Sequence, residues 1–131
     1  MPDFIPNSTI HDYLRVIHTK HTLLFADACY AGSLFSAHRG ELELNRPSRW
    51  AFTSGDIEKV WDGAPGTNSP FAASLIKYLQ YNLKPELPAN LLIKGVTDLM
   101  AREVEQRPRG NPLRRAGDEG GVFVFRRKLP Y

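Results

Sequence analysis

Cys29 is the only cysteine in the chain, and an acid, Asp27, stands two residues before it. A thiolate is a strong nucleophile that needs an activating base and a donor for the oxyanion it creates. The neighbouring residues suit that use. Leu23-Leu24-Phe25-Ala26 is a short apolar run that stops at Asp27, and Tyr30-Ala31-Gly32-Ser33 is a small turn behind the cysteine. A buried strand ending in Asp-x-Cys puts the thiol at the carboxyl edge of a sheet, where open α/β sheets hold ligands. A backbone N–H in that turn can face a substrate carbonyl. A phosphatase loop would need arginine six residues after the cysteine, and that position is Phe35. The plainer alternative is that Cys29 is a small buried apolar residue, as lone cysteines commonly are.

Asp27 also has two readings. Acids at strand ends often serve as turn or cap residues. In an extended chain, however, residues i and i+2 share a face, so Asp27 emerges beside Cys29. A carboxylate there raises the thiol pKa and opposes thiolate formation, which makes binding a substrate cation the better task. A second acid-bearing stretch, Thr53-Ser54-Gly55-Asp56-Ile57-Glu58-Lys59-Val60-Trp61-Asp62-Gly63, follows another apolar run. Glu58 and Asp62 can add negative charge to a cleft there, or simply form a solvated acidic loop.

The elements that position these groups can be read in order. A helix is predicted from Ser8 or Thr9, with Thr9 and Asp12 resembling a capping box. Ile10, Tyr13, Leu14 and Ile17 form its apolar face, and the basic His18-Thr19-Lys20-His21 suits its end. The Leu23–Ala26 strand follows, then a polar loop from Ser36 to Pro47. Arg49 to Gly55 reads as a second buried strand, and Asp56 to Asn68 as a loop with one helical turn near Ile57–Trp61. Ser69-Pro70 is a strong helix start; Ala72, Leu75, Ile76 and Leu79 mark its core stripe, and Asn82 to Pro85 its end. Another helix opens near Pro88, with Leu92, Val96, Leu99, Met100 and Val104 at helical spacing until Gln106-Arg107-Pro108. A loop rich in Gly, Pro and Arg then leads to a last strand, Gly120 to Arg126, apolar on both faces. The order α-β-β-α-α-β predicts a small, mostly parallel sheet flanked by helices, an α/β sandwich. Three such strands make a thin sheet, and strands apolar on both faces need neighbours.

His21-Thr22-Leu23-Leu24-Phe25-Ala26-Asp27-Ala28-Cys29-Tyr30-Ala31-Gly32-Ser33-Leu34-Phe35 resembles the nucleophile segment of caspase-like cysteine peptidases, in their bacterial and metacaspase-like branch. Thr53 to Gly63, Ser69-Pro70-Phe71 and Gly117-Asp118-Glu119-Gly120-Gly121-Val122-Phe123-Val124-Phe125 are similar to further stretches of that family, so the likeness runs along nearly the whole chain. The resemblance implies a partial caspase-like α/β sandwich in residues 1–131, the C-terminal, nucleophile-bearing portion of one domain. It implies a cysteine-type endopeptidase acting on a peptide or protein, with Cys29 as nucleophile and Asp27 selecting Arg or Lys before the cut. Ser54, Glu58 and Asp62 flank the implied substrate cleft.

The family pairs its cysteine with a histidine carried tens of residues earlier in a His-Gly pair, and this chain has no His-Gly. His11 and His18 fall in the predicted first helix. His21 precedes Asp27 by about five residues at ~3.3 Å each along the strand, too far to reach Cys29. His38 follows Cys29 in a loop and could approach, although the family position is elsewhere. A His-bearing N-terminal half, in cis or as a separate chain, is therefore the expected partner, and dimerisation is one arrangement the resemblance allows. The chain alone is expected to be inactive. The competing reading is a non-catalytic caspase-like module that regulates or dimerises with another; the intact Asp-Ala-Cys segment argues against it.

Composition bounds the rest. At 131 residues, 42% apolar and 24% charged, the chain suits one globular domain. It has no apolar run near the ~20 residues of a membrane span, and Met1 to Asn7 lacks the features of a signal peptide. A single cysteine excludes an internal disulfide and suits a reducing, cytoplasmic setting. Arg107, Arg109, Arg114, Arg115, Arg126, Arg127 and Lys128 carry much of the +3 net charge. They alternate with Pro, Gly and acids without interleaved stacking aromatics, so nucleic acid is not an expected partner. No cofactor is expected. Some metacaspases depend on calcium, but no dense acidic cluster here commits the chain to a metal.

Overall fold

Two strands with alternating side chains set the layers of this mixed α/β fold. In the computed structural model, which describes residues 5–28, 31–35, 45–55, 60–113 and 115–128, β1 (His21–Ala26) and β2 (Ser48–Thr53) run parallel. His21 lies opposite Ser48 and Ala26 opposite Thr53. On one face Leu24, Ala26 and Ala51 pack with Leu14 and Ile10 of α1 (Asn7–Val16), with Leu34, and with Leu113 and Ala116. On the other, Leu23 and Phe52 pack with Phe71 of α2 (Pro70–Tyr81) and with Leu92, Val96 and Met100 of α3 (Ala89–Ala101). Phe52 and Phe71 are fully buried and meet edge to face, their ring centres 4.9 Å apart. Burying each such ring stabilises the fold by roughly 1.5–3 kcal/mol. All six residues of β2 are buried, which makes it the central strand.

The third strand of this sheet is β4 (Arg109–Pro112), antiparallel to β2, with Thr53 opposite Arg109 and Trp50 opposite Pro112. The order is β1-β2-β4, so β1 is an edge strand among the described residues. A separate ribbon pairs β3 (Glu86–Pro88) antiparallel with β5 (Val124–Arg126).

Several expectations are corrected by these elements. The stretch expected to be a Gly-, Pro- and Arg-rich loop contains β4, and the last strand is three residues of a side ribbon rather than a member of the main sheet. That sheet has one parallel and one antiparallel pairing, so it is mixed and not mostly parallel. Helix α1 starts at Asn7 behind Pro6 with no side-chain cap; Thr9 lies inside its first turn and closes no capping box. Tyr13 and Ile17, placed on the core face by periodicity, are 65% and 40% exposed. In α2 the buried stripe is rotated to Phe71, Ser74, Leu75 and Tyr78, which leaves Ile76 and Leu79 largely exposed. Helix α3 ends at Ala101, short of Gln106. The expected Ser69 cap holds: its hydroxyl accepts the Ala72 N–H at 3.0 Å with Pro70 next. The helical turn expected near Ile57–Trp61 falls largely on residues 56–59, outside the described ones, and Val60 and Trp61 are irregular.

One buried cation fastens α1 to the sheet. Arg49 is 5% exposed, and its guanidinium donates to the carbonyls of Leu14 (2.9 Å), Ile17 (3.0 Å), Thr19 (2.7 Å), Lys20 (3.2 Å) and Ser48 (2.8 Å). Carbonyls at a helix C-terminus lack intrahelical partners and carry partial negative charge. Arg49 satisfies both the geometry and the sign. Its own backbone N–H is held by Asp118 at 2.9 Å.

Candidate functional site

The carboxyl end of the β1–β2 pair gathers most of the described candidate residues. Ser54 continues the pairing, its N–H donating to the Ala26 carbonyl at 3.0 Å. Asp27 and the Ser54–Gly55 turn therefore leave the sheet side by side. Because β4 runs the other way, its first residue, Arg109, arrives at the same end opposite Thr53. The Thr53 hydroxyl lies within hydrogen-bond reach of the Gly55 carbonyl (2.8 Å) and the Arg109 carbonyl (3.1 Å), and so joins strand end, turn and neighbouring strand.

Asp27 is exposed, and its Oδ2 accepts a hydrogen bond from the Ser69 hydroxyl. Ser69 is the N-cap of α2, so the carboxylate sits before the positive end of that helix, where anions are favoured. Expected only to mark a helix start, Ser69 also holds the candidate pocket acid. No motif spacing signals that contact, because 42 positions separate the two residues.

Ser54 is fully buried, and its Oγ has no hydrogen-bond partner among the described residues. Its carbonyl accepts from Gln106 Nε2 at 2.6 Å, and Gln106 Oε1 accepts the Trp61 N–H at 3.0 Å. Gln106, 4% exposed, thereby clamps the loop carrying Trp61 and Asp62 to the end of β2. Sequence reading missed it: a lone amide among charges and prolines looks like solvated loop. Trp61 is 65% exposed and presents an aromatic surface beside the strand ends. Asp62 is exposed, with no hydrogen bond or ion pair to a described residue. The structure thus joins Asp27 with Ser69, and Ser54 with Gln106 and Trp61, without linking Asp62 directly to Asp27. Cys29 and Glu58, and the alternative base His38, lie outside the described residues.

The segment after Cys29 is anchored at three points. In the 3-10 helix Ala31–Leu34, Ser33 Oγ accepts from Asn7 at 2.7 Å, and the Leu34 carbonyl lies 3.0 Å from His11 Nε2. Phe35 carries the Arg109 guanidinium 4.8 Å above its ring centre, a cation–π contact. A carbonyl can only accept, so His11 Nε2 is the donor in this contact. His21 Nδ1 is 2.8 Å from Ser48 Oγ, at the opposite end of β1 from Asp27. His18 is exposed beyond the end of α1. His18 and His21 therefore lie at the end of the sheet away from Asp27, whereas His11 is engaged with the segment that follows Cys29.

Among the described residues, no group of three or more His, Cys, Asp or Glu side chains could hold a metal ion, and no helix is long and apolar enough to cross a membrane. Chemically, the edge offers an oriented carboxylate for a cation, an exposed aromatic rim, and a turn held firmly on its downstream side. A scan against protein-family models and searches of curated proteins and of solved structures each found no match to this chain.

Proposed function

We propose that this chain supplies the nucleophile and the specificity pocket of a caspase-like cysteine endopeptidase that cleaves after Arg or Lys. The observation that carries the reading is Asp27, exposed at the carboxyl edge of a parallel strand pair and held by the cap of α2, two residues before Cys29. In this reading Cys29 Sγ attacks the carbonyl carbon of the scissile bond. Negative charge then develops on the carbonyl oxygen, and the Cys29 backbone N–H helps hold it. The amine leaves with a proton delivered by the general acid, and water releases the acyl group from sulfur. Asp27 binds the guanidinium or ammonium of the residue before the cut, a charge-assisted contact.

The base comes from a partner segment, in cis or on another chain. His21 supports that assignment, since it opens β1 at the end away from Asp27 and is engaged with Ser48. The outer edge of β1 supports it too: no described strand pairs there, and unpaired backbone groups invite another strand. The same open edge favours the second reading, a non-catalytic module that docks on a related chain.

Purified alone, the chain is expected to leave Arg- and Lys-reporter peptides intact, and to cleave them once combined with a His-bearing segment. In that assembled enzyme Asp27→Ala should abolish cleavage after basic residues; unchanged cleavage refutes the pocket assignment. Cleavage by the chain alone that is lost on Cys29→Ala refutes the external base and points to His38.

A further inference from the structure

We propose that Ser69 is a positioning residue that orients the Asp27 carboxylate and so sets a preference for Arg over Lys. This rests on the endopeptidase reading above and refines its pocket. The Ser69 hydroxyl has one proton, and that proton goes to Asp27 Oδ2. Its oxygen meanwhile accepts the Ala72 N–H at 3.0 Å, and its carbonyl accepts the Ala73 N–H at 2.9 Å. The first turn of α2 therefore fixes the Ser69 hydroxyl, and the exposed Asp27 side chain conforms to it. Control runs from helix to acid.

The loop before Ser69 is folded to deliver it there. Thr67 closes a turn on Ala64, with its N–H 3.0 Å and its hydroxyl 2.6 Å from the Ala64 carbonyl. Gly63, at φ +84°, approaches the Asn68 carbonyl so closely that a Cβ would lie 2.6 Å from that oxygen. Only glycine meets both conditions. Asn68, the neighbour of Ser69, is thus set by the loop behind it.

An oriented carboxylate matters differently to the two cations. Guanidinium is a planar fork whose paired N–H groups match a carboxylate held in one plane. An ammonium is a compact charge with rotatable donors and is nearly indifferent to carboxylate rotation. With Oδ2 held by Ser69, the carboxylate plane is set and its remaining lone pairs face outward. Arginine gains from that order and lysine gains little.

The test uses the full chain and thiol-reactive peptide probes that end in Arg, Lys or citrulline, the last a neutral arginine isostere. The rate of Cys29 labelling is followed by mass spectrometry. Wild type should label fastest with the Arg probe, and Asp27→Asn should lower both cationic probes to the citrulline rate. Ser69→Gly removes the donor while nearly keeping the cap, since glycine is an adequate N-cap. It should lower the Arg:Lys ratio by about fivefold, the worth of one well-oriented charged hydrogen bond, and keep both cationic probes ahead of citrulline. Ser69→Thr, which keeps donor and cap, should restore the wild-type ratio. An unchanged ratio in Ser69→Gly, with the Asp27 dependence intact, overturns the role of Ser69 and leaves the pocket standing. Cationic preference that survives Asp27→Asn overturns the pocket and this inference together.

Discussion

Replacing Gln106 tests whether the rim of the site is clamped as its hydrogen bonds indicate. The side chain is 4% exposed and uses both ends of its amide: Nε2 on the Ser54 carbonyl at 2.6 Å and Oε1 on the Trp61 N–H at 3.0 Å. Gln106→Leu leaves the Ser54 carbonyl buried without its donor, at a cost of roughly 1–3 kcal/mol. The Trp61 N–H borders an exposed loop and can turn to water, so its loss adds only about 0.5 kcal/mol. A net cost of about 2 kcal/mol, with an unfolding entropy of ~2.1 cal/mol/K per residue, lowers the melting temperature by roughly 7 °C for a chain of this length. Gln106→Glu is nearly isosteric and separates the two contacts. Its carboxyl still accepts from Trp61, but when ionised it has no proton for the Ser54 carbonyl. The folded state then favours the protonated acid and raises its pKa above the unfolded value of about 4.3. The sign follows: the stabilising bond is present below the unfolded pKa and is lost as pH rises through the folded one. Measured as a difference from wild type, the defect of Gln106→Glu should be large at neutral pH and shrink toward pH 4. Thermal melts across pH decide it. If both variants melt with the wild type at every pH, the clamp carries no weight and Trp61 is held by something else.

Two further outcomes follow from buried groups. Arg49→Met removes the donors of five carbonyls and should cost about 3 kcal/mol, with hydrogen exchange in α1 accelerating before that in β2; exchange that rises evenly over the molecule would contradict the fastening role. Ser54→Ala deletes a buried hydroxyl with no partner among the described residues and should raise the melting temperature, by up to ~1 kcal/mol of stability. A loss of stability on thermal melting would contradict an unsatisfied hydroxyl at this position.

The parts legible in the sequence were those fixed by local chemistry. The Leu23–Ala26 run ends where β1 ends, and Ser69-Pro70 caps α2 as its residue types require. What escaped depends on contacts distant in sequence. In Arg109-Gly110-Asn111-Pro112 nothing alternates and nothing favours a strand. These residues become β4 because β2 offers a bonding edge and α3 lies over them. A Cβ on Gly110 would sit 2.5 Å from Ile93 Cδ1, so the glycine that reads as loop is what lets the helix approach. The stripe of α2 was ambiguous for a related reason. Apolar residues occur on two overlapping faces, and the contact of Phe71 with Phe52 selects between them.

The site divides along the same line. Asp27 could be found because it directly follows the apolar run that forms β1; its placement relative to Cys29 lies outside the described residues. Ser69 and Gln106 could not, since each reaches its partner across more than 40 positions. The division has a physical basis. Groups that would meet a substrate, Asp27 and Trp61, are exposed and can change without unfolding the chain. The groups that orient them are the cap of a helix and a buried amide, so they contribute to stability and to the site at once. A substitution that alters peptide preference at constant stability therefore belongs to the exposed set, and one that moves both marks the scaffold behind it. Ser69→Gly lies on the boundary, because glycine keeps most of the cap and none of the donor. It can separate the two roles where Ser69→Ala, which loses both, cannot.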